Sequence, residues 1–280
     1  MAGAVLGLIA LGFVVVFKVS GIFNLAQGEL VAIGAYFSWV FLNEMHLHPA
    51  LAVFLALLLG AIIGLVLSRF PFGPLMGQPM MALFIVTLGL MVLFRGVLTM
   101  IYGSGEVYYF RQFVPADPVR LPDNISIFPR DLLGFGLVVL LLIILMALFR
   151  YTRFGLVFRA SAEDTQLARS IGINLKRTVA VALAIGCAIA AVGGVILGMS
   201  NGISPRLGDI ALGALAVVLV GGMNSFTGTI LGGLLVGIVT SLSSYYIGHG
   251  IGSVAAFIIM LIVLLFRPYG ILGQKEIERV

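Results

Sequence analysis

Residues 132–149 read LLGFGLVVLLLIILMALF, and the 28 residues that follow, 150–177, read RYTRFGLVFRASAEDTQLARSIGINLKR. The first stretch has no polar side chain; as a helix its 18 residues extend about 27 Å, close to the ~30 Å hydrocarbon core of a bilayer. The second holds six of the sixteen Lys and Arg (Arg150, Arg153, Arg159, Arg169, Lys176, Arg177) in a tenth of the chain. An apolar span followed by a positive island sets the pattern for the rest. Outward from this pair, apolar runs recur at about 2–19, 30–44, 50–68, 80–102, 178–199, 210–223, 226–246 and 251–266. With 132–149 they predict an all-α, polytopic transmembrane bundle of eight or nine spans, a single domain over 1–280.

Composition excludes the competing classes. Hydrophobic residues make up 61% and charged residues 10%, and most runs lack the polar face that a helix of a soluble domain carries. None alternates polar with apolar over ~10 residues, as outer-membrane barrel strands do. The net charge of +5 is dispersed, without the basic patch and clustered aromatics of nucleic-acid binding. Cys187 stands alone in an apolar run, so no internal disulfide forms and a small core residue is expected there. The apolar stretch 1–17 has no basic n-region and reads as a retained helix rather than a signal peptide.

Two breaks between runs are long. Residues 103–131 contain Pro115, Pro118, Pro122 and Pro129, with three Arg against Glu106, Asp117, Asp123 and Asp131. The island 150–177 sets its six basic residues against Glu163 and Asp164. Lys and Arg in short loops mark the cytoplasmic side, so 150–177 is expected inside and 103–131 outside. The four runs from 178 to 266 return the tail, with Arg267, Lys275 and Arg279, to the inside; the same count leaves Met1 outside.

Small residues recur every four positions at Gly186, Ala190, Gly194 and Gly198, at Gly60 and Gly64, and at Gly233 and Gly237. That spacing predicts close helix packing, which in lipid replaces the hydrophobic effect; the alternative is a lining for a solute path. The polar break 20–29, with Asn24, Gln27, Gly28 and Glu29, is either a cytoplasmic turn or a broken helix near the bilayer midplane, where polar groups survive if buried in protein or facing a cavity. A later break, 221–228, holds Gly222, Asn224, Ser225 and Gly228, and shares with the first an Asn four residues before a Gly. Paired interruptions point to a transporter's central site. Arg95, within the run 80–102, either snorkels to the surface or pairs with a carboxylate.

Enzymatic chemistry is not expected. His46, His48 and His249 fall in polar turns, no metal-ligand spacing occurs, and a Walker A sequence is absent. Within the island, 159–174 reads as one short helix at about 162–171. Ser161 is its expected cap, Glu163 and Asp164 its first turn, Arg169 its last turns and Gly172 its stop. Ala160, Leu167, Ala168 and Ile171 give it a narrow apolar stripe. Such a helix either lies along the lipid interface or seats in a groove of a cytoplasmic motor subunit.

The segments 21–29 with Gly34, Ala35 and Tyr36, then Ala162, Glu163 and Asp164 before Gly172, Ile173 and Asn174, then Val220, Gly221 and Gly222 with Gly228, Gly232 and Gly233, and finally 267–273, resemble the permease subunits of bacterial branched-chain amino-acid ABC importers. The resemblance covers nearly the whole chain in motif order and is closer to the H-type than to the M-type subunit. It implies an ABC-importer permease of the bacterial cytoplasmic (inner) membrane, moving branched-chain or other small hydrophobic amino acids inward by alternating access. It implies no catalysis and no cofactor on this chain, with ATP and Mg on separate partners. Those partners are a related second permease subunit, two cytoplasmic ATPase subunits and a periplasmic or lipid-anchored substrate-binding protein. The coupling contact falls on Arg159, Ser161, Ala162, Glu163, Asp164, Leu167, Ala168, Arg169 and Gly172. The substrate path falls on Asn24, Gln27, Gly28, Glu29, Gly222, Asn224, Ser225 and Gly228.

Two features depart from the family pattern. Gln27 stands where a His is common, which removes a titratable group but keeps hydrogen bonding, and the chain starts a little later than typical members. Urea, amides and small organic acids are alternative substrates within the family. An ion-coupled secondary carrier, or a scaffold without flux, is the alternative outside it.

Overall fold

A computed structural model describes residues 2–21, 23–111, 119–120, 126–163, 165–248 and 251–273. The helices among them are α1 (Ala2–Ser20), α2 (Gln27–Trp39, continued by a π-helical turn Val40–Glu44), α3 (Pro49–Arg69), the single turn α4 (Phe72–Leu75), α5 (Met80–Tyr102), α6 (Pro129–Tyr151), α7 (Arg153–Glu163), α8 (Thr165–Ser170), α9 (Leu175–Asn201), α10 (Leu207–Gly221), α11 (Phe226–Tyr246) and α12 (Ile251–Phe266). Strands β1 (Val119–Arg120) and β2 (Ser126–Ile127) pair antiparallel within the loop 103–131, with Val119 opposite Ile127.

Each of the nine hydrophobic runs is a helix. Six of them, α1, α3, α5, α6, α9 and α11, are long and apolar enough to cross a bilayer. The other three, α2, α10 and α12, have only 13, 15 and 16 residues. Local chemistry sets where helices begin. Pro49 and Pro129 occupy first turns, where no N–H is needed. Asn174 caps α9 by accepting from the Arg177 amide at 3.2 Å.

Helix α9 is the hub, with nearly every residue from Val179 to Gly198 buried. Around it pack α1, α2 and α3. A Cβ on Gly60 would lie 2.7 Å from the Cys187 carbonyl of α9, and one on Gly233 would lie 2.8 Å from the Gly7 Cα of α1. The small-residue spacing therefore reports backbone approach between helices, and Cys187 is buried at the α3 contact. By contrast α3, α5, α6 and α12 present large apolar side chains outward, among them Phe54, Val92, Ile143 and Leu265.

The two ends of the bundle are distinct. At one, Tyr108 exchanges two backbone hydrogen bonds of 2.8 Å with Ile203, and Trp39 and Asn43 donate to the Tyr109 carbonyl. Tyr36, Tyr102, Tyr108 and Trp39 form an aromatic cluster there, as interfacial aromatics do. At the other end Lys18 lies over the Phe226 ring, beside the island helix α7. The positive-inside rule makes the first end outer and the second cytoplasmic. His46 and His48 are exposed in the outer turn before α3; His249 lies outside the described residues.

Candidate functional site

Helix α1 ends at Gly21, which takes a φ of +65°, and α9 ends the same way at Gly202, φ +76°. After each, the chain turns back into the bundle and starts a half-length helix. Helix α2 starts with Gln27, Gly28 and Glu29; α10 starts with Leu207, Gly208 and Asp209. Glycine is thus the second residue of each helix and a carboxylate the third, where the backbone dipole favours negative charge. Neither helix has a side-chain cap, on Ala26 or on Arg206. The two starts meet: a Cβ on Gly28 would stand 2.7 Å from the Gly208 carbonyl.

The depth of this meeting point follows from Gln27. Its Nε2 donates to the Gly186 carbonyl at 2.8 Å, and Gly186 stands about 17 Å along a helix of roughly 40 Å. The half-helices therefore begin near mid-depth and run in opposite directions, α2 outward and α10 toward the cytoplasm. Arg95 of α5 joins them. Its Nε donates to Glu29 Oε1 at 2.9 Å, its Nη2 reaches the same oxygen at 2.8 Å, and Nη2 also pairs with Asp209 Oδ1.

Exposure is graded across this triad. Glu29 is 1% exposed, whereas the Arg95 and Asp209 side chains are 36% and 50% exposed. Among the described residues, Glu29 Oε2 and Asn24 Oδ1 are buried without a hydrogen-bond partner. A buried carboxylate is tolerated at this depth only with a compensating charge, and Arg95 supplies it. Two carboxylates against one guanidinium leave the centre formally at −1, open on the side of Arg95 and Asp209.

At the cytoplasmic end, the island helix is anchored by aromatic packing. Phe158 of α7 is fully buried, with ring centroids 4.6 Å from Phe149 of α6 and 6.0 Å from Phe226 of α11. Beyond that joint, Leu156, Leu167 and Ile171 are exposed. The turn 222–225 next to it is closed by residues 267–273, whose Ile271 and Leu272 amides donate to the Val220 and Gly221 carbonyls at the end of α10.

A family model for the permease component of branched-chain amino acid transport systems matches residues 1–266. The permease LivH of Salmonella typhimurium is 32% identical over 99% of this chain and 94% of its own length. BraD of Pseudomonas aeruginosa, another high-affinity branched-chain amino acid permease, gives the same figures. The chain belongs to this permease family. Among solved structures, PsaBC from Streptococcus pneumoniae shares the fold, with a TM-score of 0.50 at 13% identity over 96% of the permease and 90% of that chain.

The structure brings Asn24, Gln27, Gly28 and Glu29 of the permease together at mid-depth, Asn24 Nδ2 donating to Gln27 Oε1 at 3.4 Å. It does not join them to Gly222, Asn224, Ser225 and Gly228. These lie at the cytoplasmic end, where Ser225 Oγ accepts from the Gly228 amide at 3.0 Å and starts α11. Gly222, at φ +106°, fits against the Gly273 backbone. The spatial counterpart of the first break is 202–209. Its signal is Gly21-Ile22, five residues, Gly28-Glu29 against Gly202-Ile203, four residues, Gly208-Asp209.

The island 150–177 also differs from the single helix expected. It forms two helices, and Ser161 is buried inside α7 rather than capping a helix. Thr152 begins α7 by accepting from the Gly155 amide at 3.1 Å. Glu163 therefore falls in the last turn of α7, and Asp164 lies outside the described residues. Arg159 faces a cavity beside α1, Ala162 is half-buried, Ala168 is buried, and Leu167 and Arg169 are exposed on α8. Gly172, at φ +86°, supplies the expected stop.

Proposed function

We propose that this chain is the membrane-spanning subunit of an ATP-driven importer that carries branched-chain amino acids into the cytoplasm by alternating access. A related second permease subunit, two cytoplasmic ATPases carrying ATP and Mg, and an external substrate-binding protein complete it. The observation that carries the reading is the mid-depth centre, where Arg95 bridges carboxylates on two oppositely directed half-helices in a chain of this family. Half-helix starts at the bilayer centre are where transporters place charged solutes.

The open side of that centre faces the second permease subunit. A zwitterion passing there presents its carboxylate to Arg95 and its ammonium to Asp209, while Asn24, Gln27, Gly28 and Glu29 form the wall behind them. Gly222, Asn224, Ser225 and Gly228 form the cytoplasmic exit. Arg159, Ser161, Ala162, Glu163, Asp164, Leu167, Ala168, Arg169 and Gly172 make the coupling segment. ATPase closure against Leu167 and Ile171 moves α7, and the Phe149, Phe158 and Phe226 joint passes that movement to α6 and α11.

The test is purification with the products of the neighbouring genes. ATPase activity stimulated by leucine-loaded binding protein is expected. Leucine uptake by this chain alone in liposomes under an ion gradient would overturn the reading.

A further inference from the structure

We propose that the permease binds an anionic phospholipid of the cytoplasmic leaflet between α1, α6, α7 and α11. A cavity of about 370 Å³ lies there, outside the mid-depth centre. Its mouth carries three cations from three helices, Lys18 of α1, Arg150 of α6 and Arg159 of α7. Deeper in, its wall is hydrocarbon, including Val15, Met146 and Ile230.

Among the described residues these charges have no ion-pair partner: none of the three lies within 4.0 Å of a carboxylate oxygen, and the only ion pairs there belong to Arg95. Lys18 feels the more distant Glu163 carboxylate and the like charge of Arg159, and its ammonium lies 5.3 Å from the Phe226 ring centre. Arg150 lies over the Tyr151 ring. Bringing three cations from separate helices to one mouth is unfavourable with only the more distant Glu163 to offset them, and the cytoplasmic leaflet provides a further anion at this depth. Basic pockets between spans on the cytoplasmic side suit phosphate headgroups. A free phosphate satisfies the same cations, but leaves the apolar wall without a function. A phospholipid satisfies both, with its phosphate at Lys18, Arg150 and Arg159 and an acyl chain along α1, α6 and α11. Since Arg159 belongs to α7, the bound lipid ties the island helix to α1.

The full-length permease in detergent, titrated with phosphatidylglycerol or phosphatidylcholine and read by native mass spectrometry, tests this. Phosphatidylglycerol is expected to survive delipidation, and K18Q/R159Q should weaken its retention roughly thirtyfold, given about a fivefold effect per cation near the surface. R69Q, on the same side but outside the cavity, should leave retention unchanged. R150Q changes an exposed side chain and serves if the double variant misfolds; it should weaken retention about fivefold. Equal retention of phosphatidylcholine, equal loss in R69Q, or binding of inorganic phosphate with no preference for the lipid would each overturn the proposal.

Discussion

Glu29 and Arg95 depend on each other unequally. Glu29 is fully enclosed, whereas Arg95 keeps a third of its side chain open. Removing the cation strands a buried carboxylate, while removing the acid leaves a cation that still reaches Asp209. Arg95→Met should therefore destabilise the permease by about 3–5 kcal/mol, and Glu29→Gln by less. The double variant Glu29→Gln/Arg95→Met should recover much of the loss. Thermal unfolding in detergent across that cycle reads the coupling, and additive losses would show that the pair is not a buried unit. Gln27 makes a second residue-scale prediction. A Cβ on Gly12 would lie 2.6 Å from its Nε2 and 3.1 Å from the Gly186 carbonyl. Gly12→Ala should break that bond and cost about 1–3 kcal/mol, the penalty of an unsatisfied buried donor, seen as a lower unfolding temperature. None of this is visible in composition. Arg95 was legible as a cation that either snorkels or pairs with a carboxylate, and which of these holds depended on two segments far apart in sequence meeting.

At the scale of elements, α7 is the piece whose role differs most from its sequence. Ser161, Glu163 and Gly172 have the order of a cap, a first turn and a stop, which favours one helix starting near 161. Tertiary packing prevails instead: Phe154 and Phe158 seat against Phe149 and Phe226, and that contact draws the helix start back to Thr152. Ser161 consequently lies inside the helix. If α7 transmits movement through this joint, Phe158→Ala should lower substrate-stimulated ATPase several-fold, beyond its packing loss of about 3–5 kcal/mol. Phe158→Leu should restore stability without full coupling. Comparing ATPase rates at matched amounts of folded protein separates the two effects. Leu167→Asp with Ile171→Asp acts on the exposed surface, and should abolish ATPase co-purification while leaving the permease monodisperse; retained association would exclude this surface as the dock.

For the whole molecule, the nine apolar runs gave the order and nearly the limits of their helices among the described residues, because apolarity is a property each segment carries by itself. The depth of the breaks was not legible in the same way. Residues 221–228 have the polar groups of a central site, yet the return of 267–273 onto Val220 and Gly221 makes them a cytoplasmic turn. Residues 202–209, with Ser204, Pro205 and Arg206, form only a short break between two apolar runs, yet they carry Asp209 to mid-depth. The packing of α10 against α2 at its start, and against residues 267–273 at its end, separates these cases. The resulting centre, Glu29, Arg95 and Asp209, is the claim on which the transport account rests. ATP-driven leucine uptake by the complete importer in proteoliposomes, wild type against Arg95→Gln at matched amounts of folded complex and with basal ATPase measured on the same vesicles, tests it most directly. The account predicts at least a tenfold fall in uptake with basal ATPase within twofold of wild type; undiminished uptake in the variant would contradict it.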